Sequence, residues 1–369
     1  MPRRQFLWLL LSMMLFSCDT RADGTALVIT RGGKYTGNYS SIEVKTREPV
    51  VIENATLRGT GTLISSHYRA ANLTIRNVRG SGPDEKQHAG RFASLEGFNN
   101  VVIENCLLEH TTGIYLLDYA GDRTEKNTIK IVRNRVTNID GRKNDGKAEL
   151  VQFVQLDKCR HVPAAEIAWN EVVNEPGKSC VEDNISIYLS SGTPKSPIAI
   201  HNNFIRGAYP ASPATGGYSG GGIMLGDGVA KEGADGDSSY VHAFENQVLD
   251  TVNYGIAISA GHDCRMYRNR IVSAGVLPDG KKIAAQNVGA YVWDSYKAGQ
   301  DHFFNNGGSE NVIGWVKGAV RNDWWRPGAQ EWDKNENWPD PITPAVYDAE
   351  WKLWQEKLKT ANVLVGPKS

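Results

Sequence analysis

The sequence predicts an all-β chain wound into a right-handed parallel β-helix, and three observations carry that prediction. An apolar–Asn–apolar unit recurs along the chain. Each copy is followed by a short run of alternating apolar residues. Gly is abundant at 38 residues, while helical periodicity is scarce. Short strands that recur with turn signals between them are the mark of a solenoid.

The N-terminus reads as an export signal. Arg3 and Arg4 precede an apolar stretch from Phe6 to Phe16, interrupted only by Ser12. A helix needs about 20 apolar residues to span a bilayer, so this shorter stretch suits a secretory signal. Leu15-Phe16-Ser17-Cys18 resembles a lipoprotein box, which implies lipidation at Cys18. The alternative is cleavage after Ala22, with Thr20 and Ala22 as the small residues of the site. Residues 1–22 are thus expected to be signal peptide, 23–310 the β-helix and 311–369 a C-terminal cap. Either cleavage exports the protein to the periplasm, the cell surface or the medium. A membrane partner enters only through the lipid.

Charge narrows the partners. The chain has 41 basic and 41 acidic residues, and losing Arg3 and Arg4 leaves 41 − 2 = 39 against 41. No basic block stands out, which argues against nucleic acid, and the chain is expected to be a monomer. Cys106, Cys159, Cys180 and Cys264 follow Cys18; an oxidising compartment permits disulfides, and Cys159 with Cys180 is the closest pair. Cys106 and Cys264 also read as small residues stacked inside the coils.

The clearest repeats are Val102-Ile103-Glu104-Asn105-Cys106-Leu107, Ile131-Val132-Arg133-Asn134-Arg135-Val136 and Ile167-Ala168-Trp169-Asn170-Glu171-Val172. Further copies centre on Asn202, Asn246 and Asn269, with weaker ones at Asn54 and Asn77. Spacing varies from 23 residues (Asn246 to Asn269) to 44 (Asn202 to Asn246), as expected when coils keep their strands but carry loops of different size. An Asn at a corner can take the left-handed conformation and bond its neighbour in the next coil. Asn105, Asn134, Asn170, Asn202, Asn246 and Asn269 are therefore expected to stack.

The second strands open with Gly113-Ile114-Tyr115-Leu116, Val154-Gln155-Leu156-Asp157, Ile187-Tyr188-Leu189, Gly222-Ile223-Met224-Leu225, Gly255-Ile256-Ala257-Ile258 and Gly289-Ala290-Tyr291-Val292. Strict alternation gives each one buried face, and a leading Gly suits a tight bend. At this point the chain resembles the pectate-lyase-like superfamily of right-handed parallel β-helices, over about residues 50–310. The resemblance implies a polysaccharide partner. No run matches the catalytic signatures of pectate lyases, polygalacturonases or alginate epimerases, so no residue takes its role from the family.

The pattern breaks after residue 310, where Trp becomes frequent (Trp315, Trp324, Trp325, Trp332, Trp338, Trp351 and Trp354). Thr343-Pro344 reads as a helix start, with Tyr347, Trp351, Trp354 and Leu358 on one face. Such a segment would cover the unpaired edge at the end of a solenoid.

Aligned by their leading residues, the second strands put Ile114, Val154, Ile187, Ile223, Ile256 and Ala290 in one inward column. Outward positions then carry Tyr115, Tyr188, Tyr291 and Trp293, which suit stacking on sugar rings, so these four with Arg160 are the candidate substrate-binding residues. Strand ends supply Asp157, Lys158, Asp227, His262 and Asp294 as candidate catalytic groups. Asp227 and Asp294 are two coils apart, so roughly 10 Å separates their backbones, near the upper end of an inverting glycosidase pair. The carboxylates equally suit Ca²⁺, with another group moving the proton. Lys158, Arg160, His161 and His262 supply cations for a uronate polymer. The first reading is a lyase or C5-epimerase on an acidic, uronate-containing glycan. The alternatives are a glycoside hydrolase using an Asp pair and a non-catalytic glycan-binding or polysaccharide-export lipoprotein.

Overall fold

The computed structural model describes residues 24–83 and 88–368, so the signal segment and Cys18 lie outside the described residues. Its strands stack into three parallel sheets that wind around one apolar core, which is a parallel β-helix. Sheet A runs from Asn72–Arg76 through Asn100–Glu104 and Ile129–Val132 to His262–Tyr267, Gly307–Ser309 and Glu331–Asp333. Sheet B runs from Arg79–Ser81 through Leu107–Glu109 and Arg135–Thr137 to Arg270–Ser273 and Val312–Lys317. Sheet C runs from Ile64–Ser66 through Ala93–Glu96, Ile114–Leu117, Gln152–Asp157, Asp183–Tyr188, Gly221–Asp227, Tyr254–Ile258 and Val288–Val292 to Trp324–Trp325. Coils thus continue to Glu336–Asn337, beyond the expected boundary at residue 310.

The inward columns explain the winding. On sheet C, Ile114, Val154, Ile185, Ile223, Ile256 and Ala290 lie in register and are all fully buried. Each large aliphatic side chain withdrawn from water this way is worth about 1.5–3 kcal/mol, and parallel stacking repeats the gain in every coil. Ile185 holds the place expected for Ile187. The strand begins earlier than alternation alone suggests, at Asp183, and a slip of two residues preserves which side chains face inward. The leading Gly of these strands has a steric reason: a Cβ on Gly222 would sit 2.2 Å from the carbonyl oxygen of Gly255 in the next coil.

The A–B corner carries an asparagine ladder, one residue away from the expected left-handed position. The residues in left-handed conformation are Asn105, Arg133, Trp169, Asn202, Glu245 and Arg268, with φ of 51–57°. The residue that follows turns inward and stacks. Asn134 Oδ1 accepts the Cys106 N–H at 2.9 Å, and Asn170 Oδ1 accepts both the N–H and the Nδ2 of Asn134 at 3.0 Å. Asn203, Asn246, Asn269, Asn311 and Asn335 continue the column in the same way. Asn105 and Asn202 therefore do not belong to the ladder; Cys106 and Asn203 occupy those rungs. The Asn105 amide instead donates to the Leu364 carbonyl at 2.7 Å.

The single α-helix among the described residues, Ala345–Ala361, follows Thr343-Pro344 as expected, but it does not close the end of the coil. Tyr347 and Trp354 are buried against Phe204, Leu249 and Val272 on the outside of sheet B, with Trp351 and Leu358 beside them. Polar bonds fix it there. Tyr347 donates to Asp250 at 3.0 Å, and Arg270 Nη2 bonds Glu350 at 2.7 Å. The amphipathic face was legible; what it covers is sheet B. Cys106, Cys159, Cys180 and Cys264 are all free and buried, so the Cys159–Cys180 pairing is not formed. Burial pushes the thiols of Cys106 and Cys264 up to about 12, which leaves them inert packing groups.

Candidate functional site

Sheet C is where ionisable and aromatic side chains collect on the outside. Its outer middle row reads Tyr115, Gln155, Ser186, Met224, Ala257, Tyr291 and Trp325 in register. The next outer row contains Leu117, Asp157, Tyr188 and Asp227. Tyr188 thus stands in line with the two aspartates rather than with Tyr115, a consequence of the slip described above.

Three carboxylates lie on two neighbouring coils. Asp183 opens one strand with Glu182 just ahead of it, and Asp227 closes the parallel neighbour, Gly221–Asp227, at the far end, in register with Tyr188. Asp183 is 7% exposed and accepts a short hydrogen bond from the Tyr254 hydroxyl, which arrives from two coils away. The coil between them carries Gly221, whose Cβ would lie 2.2 Å from Asp183 Oδ1 and 2.4 Å from the Tyr254 ring. Only a glycine lets the two groups meet. Gln152 donates to Glu182 Oε2 at 2.6 Å, and Tyr296 donates to Asp227 Oδ1 at 2.6 Å. Tyr291 packs edge-on against Tyr254 and exchanges a 3.2 Å hydrogen bond with Ser259.

These surroundings raise the pKa of two of the acids. Burial pushes Asp183 up to about 8, and the Glu182 and Asp227 charges add to the rise against the Tyr254 bond. Glu182 is raised too, first by burial and then by the Asp227 charge, against the Gln152 bond. No cation is among the groups that shift either acid. A carboxyl with a raised pKa on the same face as a more exposed carboxylate is a combination that serves general acid and base roles.

Aromatic side chains rim these acids. Trp293 is 46% exposed, Trp325 56% and Tyr296 48%, and Tyr218 stands out from the loop that leads into Gly221–Asp227. Trp293, Trp325 and Tyr291 share a cavity of about 360 Å³ with Asn253, Asn287 and Asn322. Exposed rings with side-chain amides beside them are what a sugar surface needs, apolar C–H faces and hydroxyls being met together.

The other expected site residues fall into separate groups. Asp157 accepts from the Tyr115 hydroxyl at 2.7 Å, and the Arg91 guanidinium lies 4.6 Å from the Tyr115 ring. Burial lowers the pKa of Arg91 and raises that of Tyr115. Lys158 stands in left-handed conformation at the corner after the strand and shares a second cavity with Arg160 and Tyr188. Asp294 accepts the backbone N–H groups of Ala298 at 3.0 Å and Gly299 at 2.9 Å, the work of a turn residue. His262 stands on sheet A, stacked on Phe304 and bonded to Asp263 at 2.7 Å. Asp227, Tyr291 and Trp293 thus lie with the carboxylate cluster, whereas Asp294 and His262 are engaged elsewhere.

Glu182, Asp183, Tyr254, Tyr296 and Arg91 were not singled out from the sequence. Adjacent acids just ahead of the alternating Ile185-Ser186-Ile187 were the available signal for the first two. Among the described residues no group of three or more His, Cys, Asp or Glu is arranged to hold a metal ion.

No protein-family model matches this chain, and no curated protein matches it either. Among solved structures the chain is similar to Pedsa3628, a PL6 family polysaccharide lyase from Pseudopedobacter saltans. Identity is 11% and the TM-score 0.27, over 87% of this chain and 90% of that one.

Proposed function

We propose that this protein acts outside the cytoplasm on a polysaccharide laid across sheet C, and that it cleaves the chain by acid–base chemistry at Glu182 and Asp227. The observation that carries this reading is the raised pKa of Glu182 and Asp183, to which the Asp227 charge on the same face adds, with exposed aromatic rings around them. Glu182, partly open to solvent and inclined to keep its proton, protonates the glycosidic oxygen as the bond to the leaving sugar breaks. Asp227 activates the attacking water and takes its proton. Asp183, raised to about 8 and held by Tyr254, keeps its proton at neutral pH and so adds no charge beside Glu182. The products are two shorter glycans, one with a new reducing end.

A second reading, β-elimination or C5-epimerisation on a uronate, draws on a different group. Arg91, Tyr115 and Asp157 form a hydrogen-bonded and cation–π cluster on the same face, with a cation to meet a carboxylate and a phenol near it. Incubation of the protein with a panel of polysaccharides separates the two. New reducing ends without unsaturated-uronide absorbance, abolished by Glu182→Gln, support hydrolysis. Unsaturated products abolished by Tyr115→Phe, with Glu182→Gln active, overturn it in favour of elimination. Binding with no product in any case leaves a glycan-binding protein.

A further inference from the structure

The cavity shared by Trp293 and Trp325 is lined without a single charge: none of its residues is Asp, Glu, His, Lys or Arg. Three amides lie along it. Asn253, Asn287 and Asn322 come from successive coils, each just ahead of a strand of sheet C. The cavity adjoins the acids through Tyr291, whose ring packs on Tyr254, the partner of Asp183. By register Val288, which also lines it, stands three coils along from Asp183, roughly 14 Å at the usual strand spacing.

The amides are oriented by their own bonds. Asn322 Nδ2 donates to the Asn287 carbonyl at 2.7 Å, and this leaves Asn322 Oδ1 as an acceptor without a donor. Asn287 Nδ2 donates to Asn253 Oδ1 at 3.3 Å, so Asn287 Oδ1 also lacks a donor and Asn253 Nδ2 lacks an acceptor. Along the coils the cavity therefore offers one donor and then two acceptors. A sugar hydroxyl both donates and accepts, so it can bond to each of them. An ionised carboxylate only accepts. Placed here, it would face two amide oxygens and exchange its water for indole rings, with no cation beside it.

We propose that this cavity is a subsite for an uncharged sugar that rejects uronates, so that the polysaccharide bound on sheet C is not a uronate homopolymer. This rests on the reading that a polysaccharide lies along sheet C, and it names what that polysaccharide presents three coils from Asp183. Asn287 and Asn322 accept from the sugar hydroxyls, Asn253 donates to one, and Trp293 and Trp325 cover the C–H faces.

The test uses the full chain with polygalacturonate and the same polymer after chemical reduction of its carboxylates to alcohols. Affinity is read by retardation in gels containing each polymer. The wild-type protein should favour the reduced, neutral form by roughly tenfold or more, the cost of setting a carboxylate against an acceptor that it cannot satisfy. Asn287→Lys supplies a cation and should bring the ratio of the two affinities toward one, with melting temperature as the check on folding. Trp293→Ala, at an exposed ring, should weaken binding of the neutral form roughly threefold to tenfold. Preference for the acidic form overturns the subsite, as does a ratio unmoved in folded Asn287→Lys. An unchanged affinity in Trp293→Ala overturns it whatever the lysine variant does. Should neither form bind, alginate, xylan and mannan take their place. Binding of xylan or mannan supports the subsite, and binding of alginate alone overturns it. Failure to bind any glycan sinks the underlying reading instead.

Discussion

The A–B corner and the outer face of sheet C are built by the same coils, yet they treat polar groups in opposite ways. At the corner, each buried Asn from Asn134 to Asn311 spends its amide within the ladder: its oxygen serves the coil before, its nitrogen the coil after and a carbonyl behind. On sheet C acids share the outer face without a cation among the groups that shift them, and two of them are raised in pKa. A self-satisfied ladder lowers the energy of the fold. Buried acids raised in pKa cost energy, and this asymmetry is what the proposed chemistry on sheet C rests on.

The largest test of that contrast is Glu182→Gln. It keeps the shape and the Gln152 contact, and activity on a responsive polysaccharide should fall by about 10²–10⁴-fold, the range for loss of a general acid, with little change in melting temperature. Asp227→Asn should do the same. A large loss of stability with activity retained would make the cluster a structural device like the ladder.

Next comes the ladder itself. Asn203→Ala leaves the Asn170 N–H and amide without their acceptor, and should cost about 2–3 kcal/mol by chemical denaturation. Asn202→Gly, one residue earlier at φ 52°, should cost a few tenths of a kcal/mol at most, since glycine accepts that conformation. Equal costs at the two positions would contradict the rung assignment.

A pH series sharpens the comparison. Asp183 ionises near 8 when folded against a usual value of 3.8, so between those values the folded chain holds a proton that the unfolded chain has lost. Stability attached to this group is fully present below pH 3.8 and is lost as pH rises through 8. Asp183→Asn should remove that part of the slope in a melting-temperature series from pH 4 to 8. Asp250, raised to about 6 by burial beneath the helix, has the same sign over a narrower window and should keep its slope in that variant. An unaltered slope in Asp183→Asn would mean that Asp183 ionises freely.

The smallest effect belongs to the rim. Trp325→Ala removes an exposed ring without disturbing the core, and should weaken glycan binding by about 0.5–1.5 kcal/mol while leaving the melting temperature nearly fixed. No change in affinity would put the glycan elsewhere on sheet C.

What the sequence determined by itself is the solenoid. Alternating Ile, Val and Leu fix which side chains enter the core, and recurrent Asn marks the corner, because both signals are local and repeat in every coil. The amphipathic face of the C-terminal helix was local as well. Register and partners were decided by the tertiary structure. Alternation has a period of two, so it cannot distinguish Ile185 from Ile187, and that single ambiguity moved Tyr188 to another row and hid Glu182 and Asp183. The ladder was missed by one residue where Asn202 and Asn203 adjoin, because only the packed corner decides which of them turns inward. Asp183 meets Tyr254 across Gly221, residues 71 positions apart. No spacing in the chain announces such a contact; it exists because stacking brings distant coils to one face and a missing side chain leaves room between them.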